Sequence, residues 1–100
     1  MSLESVTDRI RSLLPQLAAL DARVKFVVED EGVILVDATK APPAVSHDDG
    51  EADCTVRLSE QKLHDLLDGR LSPTLAYTLG QLKVEGSLGI AMRLANALES

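Results

Sequence analysis

One hundred residues, with 16 acidic and 10 basic side chains and a formal net charge of -6, make one acidic domain, large enough to bury a core and too small to divide. Only two residues are aromatic, Phe26 and Tyr77, and the excess is of acid, so the basic patches and stacking platforms that nucleic acid rewards are missing. The single cysteine, Cys54, excludes an intramolecular disulfide, fits a reducing cytoplasm, and reads as a small buried hydrophobe on a strand.

Met1-Ser2-Leu3-Glu4 has neither the basic start nor the apolar stretch of a signal peptide, and no apolar run approaches the roughly 18 residues of a membrane span. The last residues, Leu98-Glu99-Ser100, differ from a Ser-Lys-Leu peroxisomal address. A soluble, cytoplasmic protein is expected.

Residues 2 to 14 set Leu3, Val6, Ile10, Leu13 and Leu14 at helical spacing, with Ser2 as the cap. Pro15 stops or kinks this helix, and a short further turn runs through Leu17 and Leu20. Arg23 to Glu29 and Gly32 to Ala38, rich in branched apolar residues and joined through Asp30-Glu31-Gly32, predict a hairpin. Ile34-Leu35-Val36 is continuously apolar, as in a central strand with both faces covered. Residues 41 to 46, with Pro42 and Pro43, suit a short edge strand, and His47-Asp48-Asp49-Gly50-Glu51 a solvated turn. Asp53 to Leu58 alternates, placing Cys54, Val56 and Leu58 on one face.

Ser59 caps the next helix, whose buried stripe is Leu63, Leu66 and Leu67 and whose end is Gly69; His64 falls on its polar side as a surface residue. Ser72-Pro73 opens a short helix with cap and first-turn proline in order. Gly80 to Glu85 returns as a strand with Leu82 and Val84 inward, and Gly86-Ser87 leads into a last helix capped by Ser87. The order predicts a single α+β domain over residues 1 to 100 with one largely antiparallel sheet.

The last helix is apolar on two sides. At 100° per residue, Leu88, Ala91, Met92, Ala95 and Leu98 share one side, while Ile90, Leu94 and Ala97 fall nearly opposite. Only Arg93 and Asn96 form a polar wedge. A helix lying on a sheet needs one apolar stripe, so the surplus meets another helix, a second subunit or a bound apolar ligand. With one Phe, one Tyr and no Trp, the core is built from Leu, Val, Ile and Ala, which supply little bulk to plug a large gap.

Catalytic signals are thin. Ser46-His47-Asp48 are adjacent residues on a loop and cannot form a relay, and no Gly-x-Ser-x-Gly elbow exists. Asp48, Asp49, Glu51 and Asp53 do not have EF-hand spacing. Gly86-Ser87-Leu88-Gly89 has no basic cluster beside it to hold phosphate or RNA. No catalytic residue, cofactor or metal ion is expected.

The run from Leu71 to Met92, Leu71-Ser72-Pro73-Thr74-Leu75-Ala76-Tyr77-Thr78-Leu79-Gly80-Gln81-Leu82-Lys83-Val84-Glu85-Gly86-Ser87-Leu88-Gly89-Ile90-Ala91-Met92, closely resembles the signature of the sterol carrier protein 2 (SCP-2) family. The resemblance reaches back through Ala52 to Leu58 and Leu66 to Arg70, about the last half of the chain. Gly80 and Gly86 match glycines that flank the family's last strand, and Ala76-Tyr77 its small-then-aromatic pair. Gln81 stands where lysine is common, and Ser87, which still caps, where aspartate or asparagine is common. The resemblance implies about five strands, helices covering one face, and an apolar tunnel between them.

It also implies a non-catalytic lipid carrier holding a fatty acid, acyl-CoA or sterol-like molecule. Such a site, of roughly 300 Å³ or more, would be walled by the sheet, the helix at 73 to 79 and the last helix. The expected lipid contacts are Phe26, Leu75, Leu79, Leu88, Met92 and Leu94, with adaptable Met92 foremost. Two other readings stand beside it: an interaction module that forms a homodimer through its last helix, and an accessory domain that presents a hydrophobic substrate to a partner enzyme. The net negative charge disfavours anionic bilayers, yet an apolar portal could still touch one.

Overall fold

The computed structural model describes residues 3–99. Helix α1 (Leu3–Ser12) is followed by a short α2 (Leu14–Leu17) and a 3-10 turn (Ala18–Leu20), then by strands β1 (Arg23–Val28), β2 (Gly32–Asp37), β3 (Ala44–Ser46) and β4 (Cys54–Leu58). Helices α3 (Glu60–Leu67) and α4 (Pro73–Thr78), strand β5 (Lys83–Gly86) and helix α5 (Leu88–Glu99) complete the domain. The strands form one sheet in the order β3-β2-β1-β4-β5, antiparallel except where β1 and β4 run parallel.

Local chemistry explains most boundaries. Pro15 has no N–H to give the preceding turn, so α1 closes with the Leu13 amide on the Ile10 carbonyl and a new turn starts with proline near its head. The cap assigned to Ser2 lies outside the described residues. The hydroxyls of Ser59, Ser72 and Ser87 accept from the amides of Lys62, Leu75 and Ile90, capping the three later helices as their sequences predict. Helices α3 and α4 both end on a left-handed glycine, with the Arg70 amide on the Asp65 carbonyl and the Gln81 amide on the Ala76 carbonyl. Gly80 is therefore spent on ending α4, and β5 begins three residues later than its apolar pattern suggests.

The inner face of the sheet carries Val24, Phe26 and Val28 of β1, Ile34 and Val36 of β2, and Cys54, Val56 and Leu58 of β4, all buried against the helices. Strand β2 is the second strand of the sheet rather than its centre. Its outer residues Val33 and Leu35 are only half-buried. Leu35 takes partial cover from Gly50, in the segment joining β3 to β4. The Lys25 ammonium, on the same outer face, donates to the Asp49 carboxylate at 2.7 Å and the Gly50 carbonyl at 3.1 Å, drawing the chain across Leu35.

Two acids of that segment are thus held by protein groups, Asp49 by Lys25 and Asp53 by the Arg23 amide at 2.9 Å. His47 does not engage Ser46 or Asp48; its Nε2 lies 2.9 Å from the Thr7 hydroxyl on α1. His64 departs from the surface position its sequence suggests. Helix α1 packs along that flank of α3, where Arg9 pairs with Asp68 and donates to the Leu67 carbonyl, and the His64 ring is half-buried.

Candidate functional site

Register brings three inward apolar side chains into one row. Phe26 of β1 lies beside Val56 of β4, and Val56 beside Val84 of β5. Above this row the helices do not close. α4 buries only Ala76 of its six residues, so it stands off from the sheet and turns Thr74 and Tyr77 toward the gap. α5 presents Ala91 and Ala95 where larger side chains would have filled it.

The result is a cavity of about 260 Å³, open on one side. Its floor is Phe26, Val56, Leu82 and Val84, one end is Leu66 and Pro73, and its long wall is α5. Among the described residues, Thr74, Tyr77 and Asn96 supply the only polar side chains on the wall, and none of the lining residues is charged. Such a surface holds a guest by excluding water and offers a charge nothing in return for its hydration.

The expected contacts divide. Phe26, 1% exposed, sits in the floor and Leu94, 5% exposed, beside it, while Leu88 and Met92, 56% and 69% exposed, form the rim. Leu75 and Leu79 lie outside the cavity, exposed on the other side of α4. A short helix with Ala76 toward the core and Tyr77 toward the cavity leaves Leu75 facing outward, which follows from 100° per residue once the core direction is known.

Residues not named as contacts include Val56, Leu66, Leu82, Val84, Tyr77 and Ala95. The inward parity of Val56, Leu82 and Val84 is legible in the alternation, but their convergence depends on which strands are neighbours. The two-sided apolarity of α5 has a double explanation. Leu88, Ala91, Met92, Ala95 and Leu98 all line the cavity, whereas Ile90 and Ala97 are half-buried on the side that packs against α2 and the 3-10 turn; Leu94, expected beside those two, lines the cavity as well.

Cys54 is fully buried in the core on β4, and burial, reinforced by the charge of Asp53, pushes its thiol up. No helix among the described residues is long and apolar enough to cross a membrane.

An α+β sheet with an apolar, uncharged recess between one face and two helices defines a domain built to take a hydrophobic guest. Residues 3–99 match the SCP-2 sterol transfer family, and the chain belongs to that family. The match includes the first half, whose sequence carries no specific motif. The chain is 34% identical over 67 residues to sterol carrier protein 2 of Bos taurus, covering 66% of this chain and 12% of that protein, so it spans about an eighth of its relative's length. Among solved structures, sterol carrier protein 2 of Yarrowia lipolytica in its apo form superposes with a TM-score of 0.74 at 20% identity, covering 96% of this chain and 85% of that one. The ubiquinone synthesis protein UbiJ-SCP2 superposes with a TM-score of 0.69 at 22% identity, covering 99% and 93%. The five-stranded, largely antiparallel sheet with helices on one face that the family signature implies is observed, and the space between them is an open recess.

Proposed function

We propose that the domain binds a lipid through its acyl chain or other slender apolar part in the recess between the sheet, α4 and α5, and carries or presents it without catalysis, in the cytoplasm. The observation that carries this reading is a recess of about 260 Å³ whose lining, among the described residues, contains no charged side chain, in a member of the SCP-2 sterol transfer family. Phe26 and Leu94 support the guest from below, and Leu88 and Met92 close over it at the rim. A fatty acid, an acyl-CoA or a sterol-like molecule meets the same requirement, because only apolar surface is recognised within the recess.

The test is native mass spectrometry of freshly purified protein, followed by organic extraction. Co-purifying lipid, or stoichiometric uptake of a fluorescent acyl chain by lipid-free protein, is the expected result. Protein that emerges lipid-free and takes up no acyl chain would overturn it; mass that rises with concentration would then favour the homodimer reading.

A second reading has one observation behind it. The curated relative is about eight times longer than the stretch this chain covers, so the domain recurs as a part of larger proteins. An accessory domain that presents a hydrophobic substrate to an enzyme is consistent with that, and with the resemblance to the ubiquinone synthesis protein. Co-purification of an enzyme with the tagged domain from its native cell tests it.

A further inference from the structure

Strand β5 ends the sheet on an open edge. Among the described residues no strand pairs with its far side, and three of its four residues are exposed. The opposite edge is blunted, because β3 is three residues long and follows Pro42 and Pro43. β5 contains no proline, and its register with β4 runs one to one without a bulge. The Glu29 amide on the Leu58 carbonyl turns the backbone groups of Leu58, and by alternation those of Val56 and Cys54, toward β1. Arg57 and Thr55 therefore turn theirs toward Lys83 and Glu85, their partners in register, which leaves the amides and carbonyls of Val84 and Gly86 facing the open side.

Charge selects what fits this edge. Lys83 lies opposite Arg57 in the ladder, a like charge, and among the described residues it has no ion-pair partner. The acid of its own strand, Glu85, serves Arg57 at 2.9 Å and stays 60% exposed, open to a second cation. Lys83-Val84-Glu85 is complementary to itself when reversed. Two copies set antiparallel about a two-fold axis at Val84 place Lys83 of each beside Glu85 of the other, and let the Val84 amide and carbonyl of each bond to those of its counterpart. A parallel approach would set lysine on lysine. We propose that β5 is a homodimerisation edge: a second copy of this chain pairs with it antiparallel about Val84, joining two five-stranded sheets into one. Val84 belongs to the recess floor, so the pair sets two recesses side by side.

Sedimentation equilibrium from micromolar to about 1 mM protein checks this. The wild type is expected to dimerise, less tightly as salt rises. Lys83→Glu and Glu85→Lys should each weaken self-association about tenfold or more, because attraction at two symmetric positions becomes repulsion. Both residues are exposed, so the far-ultraviolet spectra should match the wild type. Mixed one to one, the two variants should form a heterodimer, and the double exchange Lys83→Glu with Glu85→Lys should restore the homodimer. Val84→Cys reads the register independently: the two Cα atoms would stand about 5.5 Å apart, within disulfide reach, so mild oxidation should give a covalent dimer. A wild type that stays monomeric throughout overturns the proposal. A dimer that neither charge variant weakens, variants that do not recombine, or a Val84→Cys protein that does not cross-link would overturn it equally, and would move any association to another face, such as the last helix.

Discussion

The carbonyl oxygen of Asp53 occupies the space that a side chain at residue 86 would need. A β-carbon on Gly86 would lie 2.5 Å from that oxygen, with the backbone at a φ of +91°, and the same oxygen accepts the Ser87 amide at 2.8 Å as α5 begins. The close approach holds the end of β5 against β4 and so sets where α5 leaves the sheet and walls the recess.

Gly86→Ala is therefore expected to cost about 3 kcal/mol, combining left-handed strain with a backbone clash. Gly69→Ala and Gly80→Ala, also left-handed but with no atom within 4 Å of the added carbon, should cost only about 1 kcal/mol each. Denaturant unfolding of the three variants checks the order; equal losses would show that the Asp53 contact is not the cause.

Met92→Asp places a charge on the rim and should reduce acyl-chain uptake at least about tenfold, because the carboxylate must be desolvated when the guest seats. The far-ultraviolet spectrum should not change, since Met92 is 69% exposed. Leu75→Asp and Leu79→Asp, outside the recess, should bind normally. Loss of uptake in these two with Met92→Asp unaffected would place the site on the opposite side of α4.

Affinity should rise about fourfold with each added methylene, at about 0.8 kcal/mol apiece, until the recess is full. Ala95→Leu removes part of the volume. It should shorten the chain length at which affinity levels off and raise stability by about 1 kcal/mol. Calorimetric titration with saturated fatty acids of increasing length reads the first and denaturant unfolding the second; an unchanged plateau would mean the guest lies elsewhere.

Asp37 should make the protein sensitive to acid. Its carboxylate accepts from the Thr39 hydroxyl, and from the Thr39 amide at 3.0 Å, and pairs with Arg23 at 3.3 Å; the Thr39 hydroxyl is the largest of the causes that hold its pKa below the usual 3.8. A lowered folded-state pKa contributes stability above about pH 3.8, which is lost as the pH falls toward the folded value. Asp37→Asn should flatten that part of the acid unfolding curve, whereas a curve of unchanged slope would show that other carboxylates carry it.

The Cys54 thiol, fully buried and pushed up by burial and by Asp53, should resist a disulfide reagent until the protein unfolds. Rapid modification of native protein would mean that β4 and β5 separate readily.

What the sequence by itself determined was local. Serines 59, 72 and 87 followed by helical spacing, and Gly69 behind the first of these helices, specify helix ends because cap and turn geometry involve only a few neighbouring residues. The alternation of Cys54, Val56 and Leu58 likewise specifies an inward face, and the two apolar sides of α5 announce two partners. The family signature between Leu71 and Met92 carried the global fold beyond that.

Only the tertiary structure decided which residues meet. That Phe26, Val56 and Val84 form one floor depends on β4 inserting beside β1 and β5 beside β4, pairings between residues about 30 positions apart in sequence that no local pattern encodes. Leu75 and Leu79 look as suited to a lipid wall as Leu88 does, and lie outside it because the rotation of α4 is fixed by Ala76 seating on the core.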